Sequence, residues 1–402
     1  MIIGQHIVSD WSIVESGLAF GLLLIQLPAT AVLLSRLVKG ASRHGPIQPS
    51  RGTPDLLASV SVVVPTLNEA ERISPCLAGL SQQSYEVREI TIVDSYSTDG
   101  TPELVKAASQ KDPRFRLIND EALPPGWVGR PWALHSGFIH SSEQSEWILG
   151  MDADTQPKAG LIAGLVNVAN AEGYDLVSLS PQFVLKYPGE CWLQPALLMT
   201  LLYRFESAGV DTDIAEQVMA NGQCFLCRRS VLAAVGGYTS AKASFCDDVT
   251  LARNVAAQGF KVGFLDGSKV LKVRMYEGAL ETWKEWGRSL DLKDASSMAQ
   301  VWGDLWLLLS VQALPLFVAL YFCLMPPLQL LPLLLLGLNT FLLVIRWALL
   351  LAVASAYDFS TAKGGWLFWL SPLADPLAVL RIFLSANRTP TQWRGRSYGQ
   401  PS

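Results

Sequence analysis

The sequence is poor in the residues that hold zinc or build disulfide frameworks. Its 402 residues include four histidines and six cysteines. Only Cys224 and Cys227 form a C-x-x-C pair, and no histidine cluster lies near them. A structural zinc site needs about four such ligands. We therefore expect the cysteines to be small core residues in a protein of a reducing compartment.

An excess of positive charge is also missing. The chain has 31 Lys and Arg residues against 35 Asp and Glu residues, which gives a net charge of −4. This balance argues against nucleic acid as a partner. The two glycine-rich phosphate fingerprints, G-x-x-x-x-G-K-S/T and G-x-G-x-x-G, do not occur. A bound nucleotide would have to be held by another device.

Lys and Arg are absent before the first long apolar run and frequent after it. The run at 11–38 is long enough to span a bilayer, and Arg36, Lys39, Arg43 and Arg51 follow. This asymmetry predicts a transmembrane helix with its N-terminus outside, a linker at 39–57 and a cytoplasmic remainder. A cleaved signal peptide is the alternative, although it usually starts with basic residues.

The C-terminal part contains further apolar segments. Residues 305–356 read as a transmembrane hairpin, and Arg346 within it should face protein or a polar head group because a charge is costly in lipid. The stretch 366–386 is interrupted by two prolines and Asp375. We interpret it as re-entrant or interfacial, with a true span as the alternative, followed by a basic cytoplasmic tail at 387–402.

The middle of the chain, 58–300, alternates short apolar runs with helical patterns. This alternation predicts an α/β domain with a doubly wound, mostly parallel sheet. The predicted strands are 59–66, 89–95, 115–120, 146–152 and 175–181. The predicted helices are 69–82, 101–111, 131–142 and 158–171.

Carboxylates and amides collect where three of these strands end. Asp152 and Asp154 in "MDADTQP" are the clearest case. A lone D-x-D is more often a solvated turn. Here the neighbouring strand ends "PTLNEAE" and "VDSYSTDGT" deliver polar groups to the same edge, where such sheets bind ligands. Carboxylates of this kind suit Mg²⁺ or Mn²⁺, which bridge phosphates.

Five segments in order between about residues 60 and 265 resemble glycosyltransferase family 2, which has the GT-A fold. They are "VSVVVPTLNEAERI", "IVDSYSTDGT", "GWVGRPWALHSG", "MDADT" and "FCDDVTLARNVAAQGF". Ser95 stands where a second Asp is frequent, Arg130 takes a Lys position and Asp247 replaces Glu. The segment "LPPGWVGRPWALHSG" and the flanking membrane helices are most similar to hopanoid-associated and carotenoid glycosyltransferases.

The resemblance implies roles for individual residues. Asp248 is the expected catalytic base, and Asp154 with Asp152 holds the divalent metal. The residues expected to bind the nucleotide sugar are Pro65, Thr66, Asn68, Glu69, Asp94, Ser97, Arg130, Asp152 and Ala153. The residues expected on the acceptor side are Asp247, Trp283, Trp286 and Arg288.

Plainer interpretations stay open for some of these residues. Asn68, Glu69 and Asp247 stand near helix starts and could act as caps. Trp283 and Trp286 could belong to an interfacial aromatic belt.

The implied reaction is an inverting transfer of a sugar from a nucleoside-diphosphate sugar to the hydroxyl of a membrane lipid, such as a carotenoid or hopanoid alcohol. A processive polysaccharide synthase is disfavoured by the missing Q-x-x-R-W motif. Transfer to diacylglycerol, a sterol-like alcohol or a polyprenyl phosphate remains an alternative, and the last would call for extra basic residues beside the acceptor. An inactive membrane scaffold is disfavoured by the intact D-x-D and Asp248.

Overall fold

The computed structural model describes residues 2–286, 290, 292–387, 392–393 and 396–397. Arg288, expected on the acceptor side, lies outside the described residues. The strands are β1 Val60–Thr66, β2 Val87–Asp94, β3 Phe115–Asn119, β4 Trp147–Met151, β5 Thr155–Pro157, β6 Leu176–Ser180, β7 Gln182–Val184, β8 Cys224–Arg228, β9 Val262–Asp266, β10 Leu271–Val273, β11 Tyr357–Asp358, β12 Gln392–Trp393 and β13 Arg396–Ser397.

The α-helices alternate with the strands and then dominate the C-terminal part. They are α1 Ile2–Lys39, α2 Ile73–Ser81, α3 Thr101–Lys111, α4 Gly129–His140, α5 Leu161–Glu172, α6 Pro188–Arg204, α7 Arg229–Ala234, α8 Asp247–Ala257, α9 Gly278–Glu281, α10 Met298–Leu308, α11 Leu314–Leu324, α12 Leu330–Val353 and α13 Asp375–Ala386. π-Helical turns cover Thr282–Trp286 and Leu309–Ala313, and a 3₁₀ helix covers Gly365–Ala374.

The central sheet has seven strands in the order β3-β2-β1-β4-β8-β6-β9. All neighbours are parallel except β8, which runs antiparallel to both β4 and β6. The predicted mostly parallel α/β sheet is confirmed, and each of the predicted strands and helices in the middle of the chain is present. A second sheet has the strand order β11-β7-β10-β5. In this sheet β11, which follows α12, pairs with β7 of the α/β domain.

The core on the two faces of the central sheet consists mainly of aliphatic side chains. Val62 and Val64 of β1 pack on one face, whereas Val63 packs with α4 on the other. This alternation follows from the period of two in a strand. Because both faces are covered, ligands can approach only the edges of the sheet and the loops at the strand ends.

The cysteines mostly behave as predicted. Cys224 and Cys227 lie in β8 as buried free thiols, and Cys76, Cys191 and Cys246 are also buried and free. Cys323 is exposed on α11, so the prediction of a core position is wrong there. The surface of α11 is apolar throughout, and a thiol is apolar enough to lie on it.

Within the described residues, four helical segments are long and apolar enough to cross a membrane: Ile13–Ser42, Met298–Leu324, Leu330–Ala356 and Gly365–Ala386. Ser16 of α1 donates a hydrogen bond to Gln329 in the turn between α11 and α12. Gln26 and Asn339 exchange two amide hydrogen bonds of 2.9 Å between α1 and α12. Buried amides paired in this way fix the two helices side by side.

Candidate active site

The loops after β1 and β2 are joined by side-chain hydrogen bonds. Asp94 ends β2 and is 1 % exposed. Its carboxylate accepts hydrogen bonds from Thr66 Oγ1 at 3.0 Å, Ser97 Oγ at 2.6 Å and Ser97 N at 2.9 Å. Three of the residues predicted to bind the nucleotide sugar therefore form one rigid cluster at the carboxyl edge of the sheet.

Asn68 and Glu69 belong to the same cluster. Asn68 has a positive φ of 54°, and its Oδ1 accepts from Thr98 N at 2.9 Å. Its own N–H donates to Ser97 Oγ at 2.8 Å, and Glu69 N donates to Thr101 Oγ1 at 2.9 Å. Helix α2 begins only at Ile73. The capping interpretation is wrong for the Asn68 side chain, which bonds to the neighbouring loop, whereas the Glu69 carbonyl accepts a hydrogen bond of 2.8 Å from the N–H of Ile73 at the start of α2.

The two aspartates of the D-x-D lie just beyond β4, with Ala153 buried between them. Asp152 Oδ1 accepts from Arg130 Nε at 2.9 Å. Asp154 Oδ1 is buried and has no hydrogen-bond partner among the described residues. Burial, reinforced by the charge of Asp152, raises the pKa of Asp154 to about 7. The negatively charged form of Asp154 is therefore disfavoured unless a cation binds to it.

Arg130, at the start of α4, has a partner for each of its three nitrogens. Nε donates to Asp152, NH1 forms an ion pair with Asp247, and NH2 donates to Gly222 O at 2.7 Å. Burial disfavours the charged guanidinium, but the carboxylates of Asp152 and Asp247 outweigh this effect and raise its pKa. Arg130 is thus a fixed positive centre among several aspartates.

Asp247 and Asp248 begin α8 and have different surroundings. Asp247 forms no capping hydrogen bond within the described structure, so the capping interpretation is wrong for it: the ion pair with Arg130 takes its carboxylate. Asp248 Oδ2 accepts from Gly222 N at 2.6 Å, and its Oδ1 accepts from Val249 N at 2.9 Å. Burial raises the pKa of both carboxyls, and that of Asp247 reaches about 7.

A cavity of about 580 Å³ opens beside these carboxylates. Its polar end contains Arg130, Asp152, Asp247 and Asp248. Its other walls come from apolar helices: Leu37 of α1, Leu198, Leu201 and Leu202 of α6, and Leu349, Ala352 and Val353 of α12. The cavity thus connects the candidate catalytic groups with segments that are apolar enough to lie in a membrane.

The two tryptophans predicted on the acceptor side separate in the structure. Trp286 is buried, lines the cavity and packs against Phe183, with ring centroids 5.6 Å apart. Trp283 is half-buried and lies under Arg381 of α13, whose Nε donates to its carbonyl oxygen at 2.7 Å. Trp286 can contact a molecule in the cavity, whereas Trp283 connects the domain to the last apolar helix.

Sequence reasoning did not single out three parts of the site. Gly222 joins Arg130 to Asp248 through its backbone. Arg36 and Arg43 line the cavity from the end of α1 and the segment after it. The sequence offered a signal only for the two arginines, which follow the first apolar run.

The arrangement suits a divalent cation. No group of three or more His, Cys, Asp or Glu side chains is placed to hold a metal within the described ranges. A Mg²⁺-type site needs only one or two carboxylates when phosphates and water complete its shell. The unpartnered Asp154 Oδ1 and the surplus of carboxylates over nearby guanidinium groups fit such an ion.

Comparison with known proteins relates part of the chain to a known family. Residues 61–236 match the family model "Glycosyl transferase family 2". Over 246 residues the chain is 25 % identical to a 4,4'-diaponeurosporenoate glycosyltransferase of Staphylococcus haemolyticus. The aligned residues make up 60 % of this chain and 64 % of that protein. The chain therefore spans a little under two thirds of this relative.

Two further matches are partial or distant. A dolichyl-phosphate beta-glucosyltransferase of Trichomonas vaginalis is 36 % identical over 104 residues, which is 24 % of this chain and 29 % of that protein. A solved mannosyltransferase of Pyrobaculum calidifontis, in complex with GDP-Man and Mn²⁺, is 18 % identical with a TM-score of 0.49 and covers 93 % of this chain and 99 % of its own. The predicted GT-A fold and the predicted resemblance to family 2 are confirmed by the family match and the observed sheet.

Proposed function

Because the chain carries a glycosyltransferase family 2 domain, we propose that it transfers one sugar from a nucleoside-diphosphate sugar to the hydroxyl of a membrane lipid, with inversion at the anomeric carbon. The observation that carries this proposal is the cavity that runs from Asp248 to the apolar helices. A water-soluble acceptor would not need a binding site walled by Leu349 and Val353 of α12.

The donor would lie along the carboxyl edge of the sheet. Asp94 accepts three hydrogen bonds from Thr66 and Ser97, so its one remaining lone pair would suit an N–H donor of the nucleobase. Pro65 and Asn68 belong to the same edge. The diphosphate would then extend toward Asp152 and Ala153.

Asp154 and Asp152 would hold Mg²⁺ or Mn²⁺ against the diphosphate. Asp154 is the direct ligand in this proposal, and Asp152 is shared between the ion and the ribose. When bound, the ion would neutralise charge on the leaving diphosphate. The chain's own contribution is to keep an unpaired carboxylate oxygen ready at Asp154.

Asp248 would take the proton from the acceptor hydroxyl. Two backbone N–H groups fix its carboxylate in place, and it lines the cavity in which the acceptor would lie. A positioned general base contributes about 10²–10⁴-fold to the rate. One base and one displacement give inversion.

The helix contacts support the proposed membrane arrangement. Residues between Glu15 and Arg36 are uncharged, and about 20 such residues span the hydrocarbon core. The contact of Ser16 with Gln329 places the start of this span beside the turn between α11 and α12. The catalytic domain would then lie at the opposite end of the span, and the positive-inside rule supports a cytoplasmic position for it.

The segment Gly365–Ala386 would be re-entrant. Just before it, Lys363 N donates to Lys186 O at 2.7 Å, and near its end Ser385 O accepts from Lys293 Nζ at 3.2 Å. Both ends therefore lie beside the catalytic domain. Midway, Asp375 pairs with Arg346 inside α12. These contacts support a segment that enters the membrane and returns on the same side.

A lipid carrying a phosphate is a second candidate acceptor. Such an acceptor would call for basic side chains, and Arg36 and Arg43 line the cavity. Arg36 is partly engaged, since its NH1 donates to Tyr203 O at 2.7 Å. The neutral alcohol remains the preferred acceptor because Asp248, which has no ion-pair partner among the described residues, lines the same cavity and would repel a phosphate.

The test uses purified full-length protein in nanodiscs with labelled nucleotide sugars, a carotenoid or hopanoid alcohol, diacylglycerol and a polyprenyl phosphate. We expect one sugar on the neutral alcohol, transferred about 10²-fold or more slowly by Asp248→Asn. Sugar transfer to the polyprenyl phosphate alone would favour the second candidate. Release of a water-soluble polymer from nucleotide sugar alone would contradict single transfer to a lipid.

A further inference from the structure

The segment Asn221–Gln223 joins three parts of the site. Asn221 N donates to Ser178 Oγ of β6 at 2.6 Å. Gln223 O accepts from Asp152 N at 3.3 Å. Between them, Gly222 bonds to Arg130 through its carbonyl and to Asp248 through its N–H. The segment therefore has little freedom to move independently of these groups.

The guanidinium of Arg130 lies directly against the α-carbon of Gly222. A Cβ atom at residue 222 would lie 2.2 Å from Arg130 NH2 and 2.7 Å from its Cζ. No rotation of the new methyl group relieves such a contact, because Cβ is fixed by the backbone. Arg130 in this position thus requires a residue without a side chain at 222.

We propose that Arg130 is a positioning residue for Asp248, and that it acts through the backbone of Gly222. This inference rests on the proposed function, in which Asp248 is the base. Arg130 holds the Gly222 carbonyl, and the Gly222 N–H holds the Asp248 carboxylate toward the cavity. Asp247, paired with the same guanidinium, fixes the first turn of α8 from the other side.

The planar guanidinium is suited to this task and an ammonium group is not. Its three nitrogens reach Asp152, Asp247 and Gly222 at once, in directions fixed by one plane. A lysine at 130 has one nitrogen on a flexible chain. It could neutralise the carboxylates but could not hold the Gly222 carbonyl at the same time.

A role in orienting the base and a role in binding the diphosphate predict different kinetics. If Arg130 positions Asp248, Arg130→Lys should lower kcat by about tenfold or more, since small displacements of catalytic groups are costly. It should raise KM for the nucleotide sugar by a smaller factor, because Arg130 also contacts Asp152. An increase in this KM with unchanged kcat would mean that Arg130 binds the donor and would overturn the proposal.

The contact with Gly222 gives a sharper test through a double-mutant cycle. Gly222→Ala alone should lower kcat strongly, because its methyl group displaces the guanidinium. The double variant Gly222→Ala/Arg130→Lys no longer has a guanidinium for the methyl group to displace. We therefore expect the kcat of the double variant to be at least equal to that of Gly222→Ala. If the two sites were independent, the fold reductions in kcat of the two single variants would multiply in the double variant. Such multiplied losses would overturn the proposal.

Gly137→Ala is the matched control. Its Cβ would lie 2.1 Å from Val63 Cγ1, an equally close contact on the same helix as Arg130. Arg130→Lys should not restore its activity. Thermal unfolding and donor binding by each variant show whether it is folded, and Gly222→Ala/Arg130→Ala provides a second variant with more space.

The outcomes separate this inference from the proposed function. An active Asp248→Asn protein would refute Asp248 as the base, whatever the cycle shows. An inactive Asp248→Asn protein combined with multiplied losses in the cycle would refute only the role of Arg130 and Gly222.

Discussion

Arg346 of α12 and Asp375 of α13 form a two-point ion pair between apolar helices. Arg346 Nε lies 2.7 Å from Asp375 Oδ2, and NH2 lies 3.0 Å from Oδ1. Both side chains are 2 % exposed. Gln312 also donates to Asp375, at 3.2 Å, and so joins the second apolar segment to the pair. The charge expected to be costly in lipid is neutralised within the protein.

The first prediction concerns this ion pair. Asp375→Asn leaves the guanidinium of Arg346 buried and uncompensated, and breaking a buried pair costs about 3–5 kcal/mol. We expect a large loss of thermal stability in detergent. Arg346→Met/Asp375→Leu, which removes both charges, should be more stable than the single variant.

Glu103→Gln is the control for this prediction, because Glu103 pairs with Lys106 on a solvated helix surface. Exposed pairs contribute little to stability, so its unfolding temperature should hardly change. If Asp375→Asn behaves like Glu103→Gln, the pair has no structural role.

The second prediction concerns metal binding by Asp154. The pKa of this group in the folded protein is about 7, above the ordinary value of 3.8. The folded form therefore binds a proton more tightly than the unfolded form, and stability falls as pH rises from 4 toward 7. At pH 8 without metal, Asp154→Asn should be more stable than the wild type.

Adding Mn²⁺ should reverse this order. A ligand that binds the folded protein alone stabilises it. The unfolding temperature of the wild type should rise with Mn²⁺, and that of Asp154→Asn should not. Asp99→Asn is a control, because Asp99 is engaged by Thr101 and Ala70 in the neighbouring loop. An equal Mn²⁺ response in wild type and Asp154→Asn would contradict the role of Asp154.

The sequence predicted those features that depend on neighbours along the chain. The strands were visible as apolar runs, and Asp94, Asp152 and Asp154 were visible at their ends. The partners of Arg130 were not, because Gly222 and Asp247 are 92 and 117 residues away in sequence. Nothing in the local pattern of "ANGQC" shows that an arginine packs against its glycine.

The cavity was beyond the sequence for the same reason. Its walls come from α1, α6, α8 and α12, which are brought together only by folding. Trp283 and Trp286 illustrate this limit. The sequence predicts both on the acceptor side, but only Trp286 lines the cavity. The pairing of Arg346 with Asp375 could be expected from the cost of charge in lipid, although a polar acceptor group was an equal alternative.

The third prediction concerns Asp248. Burial raises the pKa of this carboxyl, so it becomes protonated at a higher pH than an ordinary aspartate. Because only the carboxylate accepts a proton, kcat should fall as pH decreases, at values above those expected for a free aspartate. Asp248→Asn should lower kcat by about 10²-fold or more at all pH values. Donor binding should persist, and an unchanged kcat in this variant would refute the base.

The fourth prediction concerns the acceptor end of the cavity. Leu349 of α12 lines it, about midway between Arg346 and the end of that helix at Val353. Leu349→Trp should fill space that the proposed lipid acceptor would occupy, because a tryptophan is larger than a leucine and the surrounding helices are packed. We expect KM for the lipid alcohol to rise or transfer to be lost, while binding of the nucleotide sugar remains.

Leu351→Trp is the matched control: Leu351 is on the same helix, is 64 % exposed and does not line the cavity. A tryptophan there faces the surroundings of the helix and should leave both steps intact. Equal losses in both variants would point to damage of α12 as a whole, and no loss with Leu349→Trp would show that the acceptor lies elsewhere.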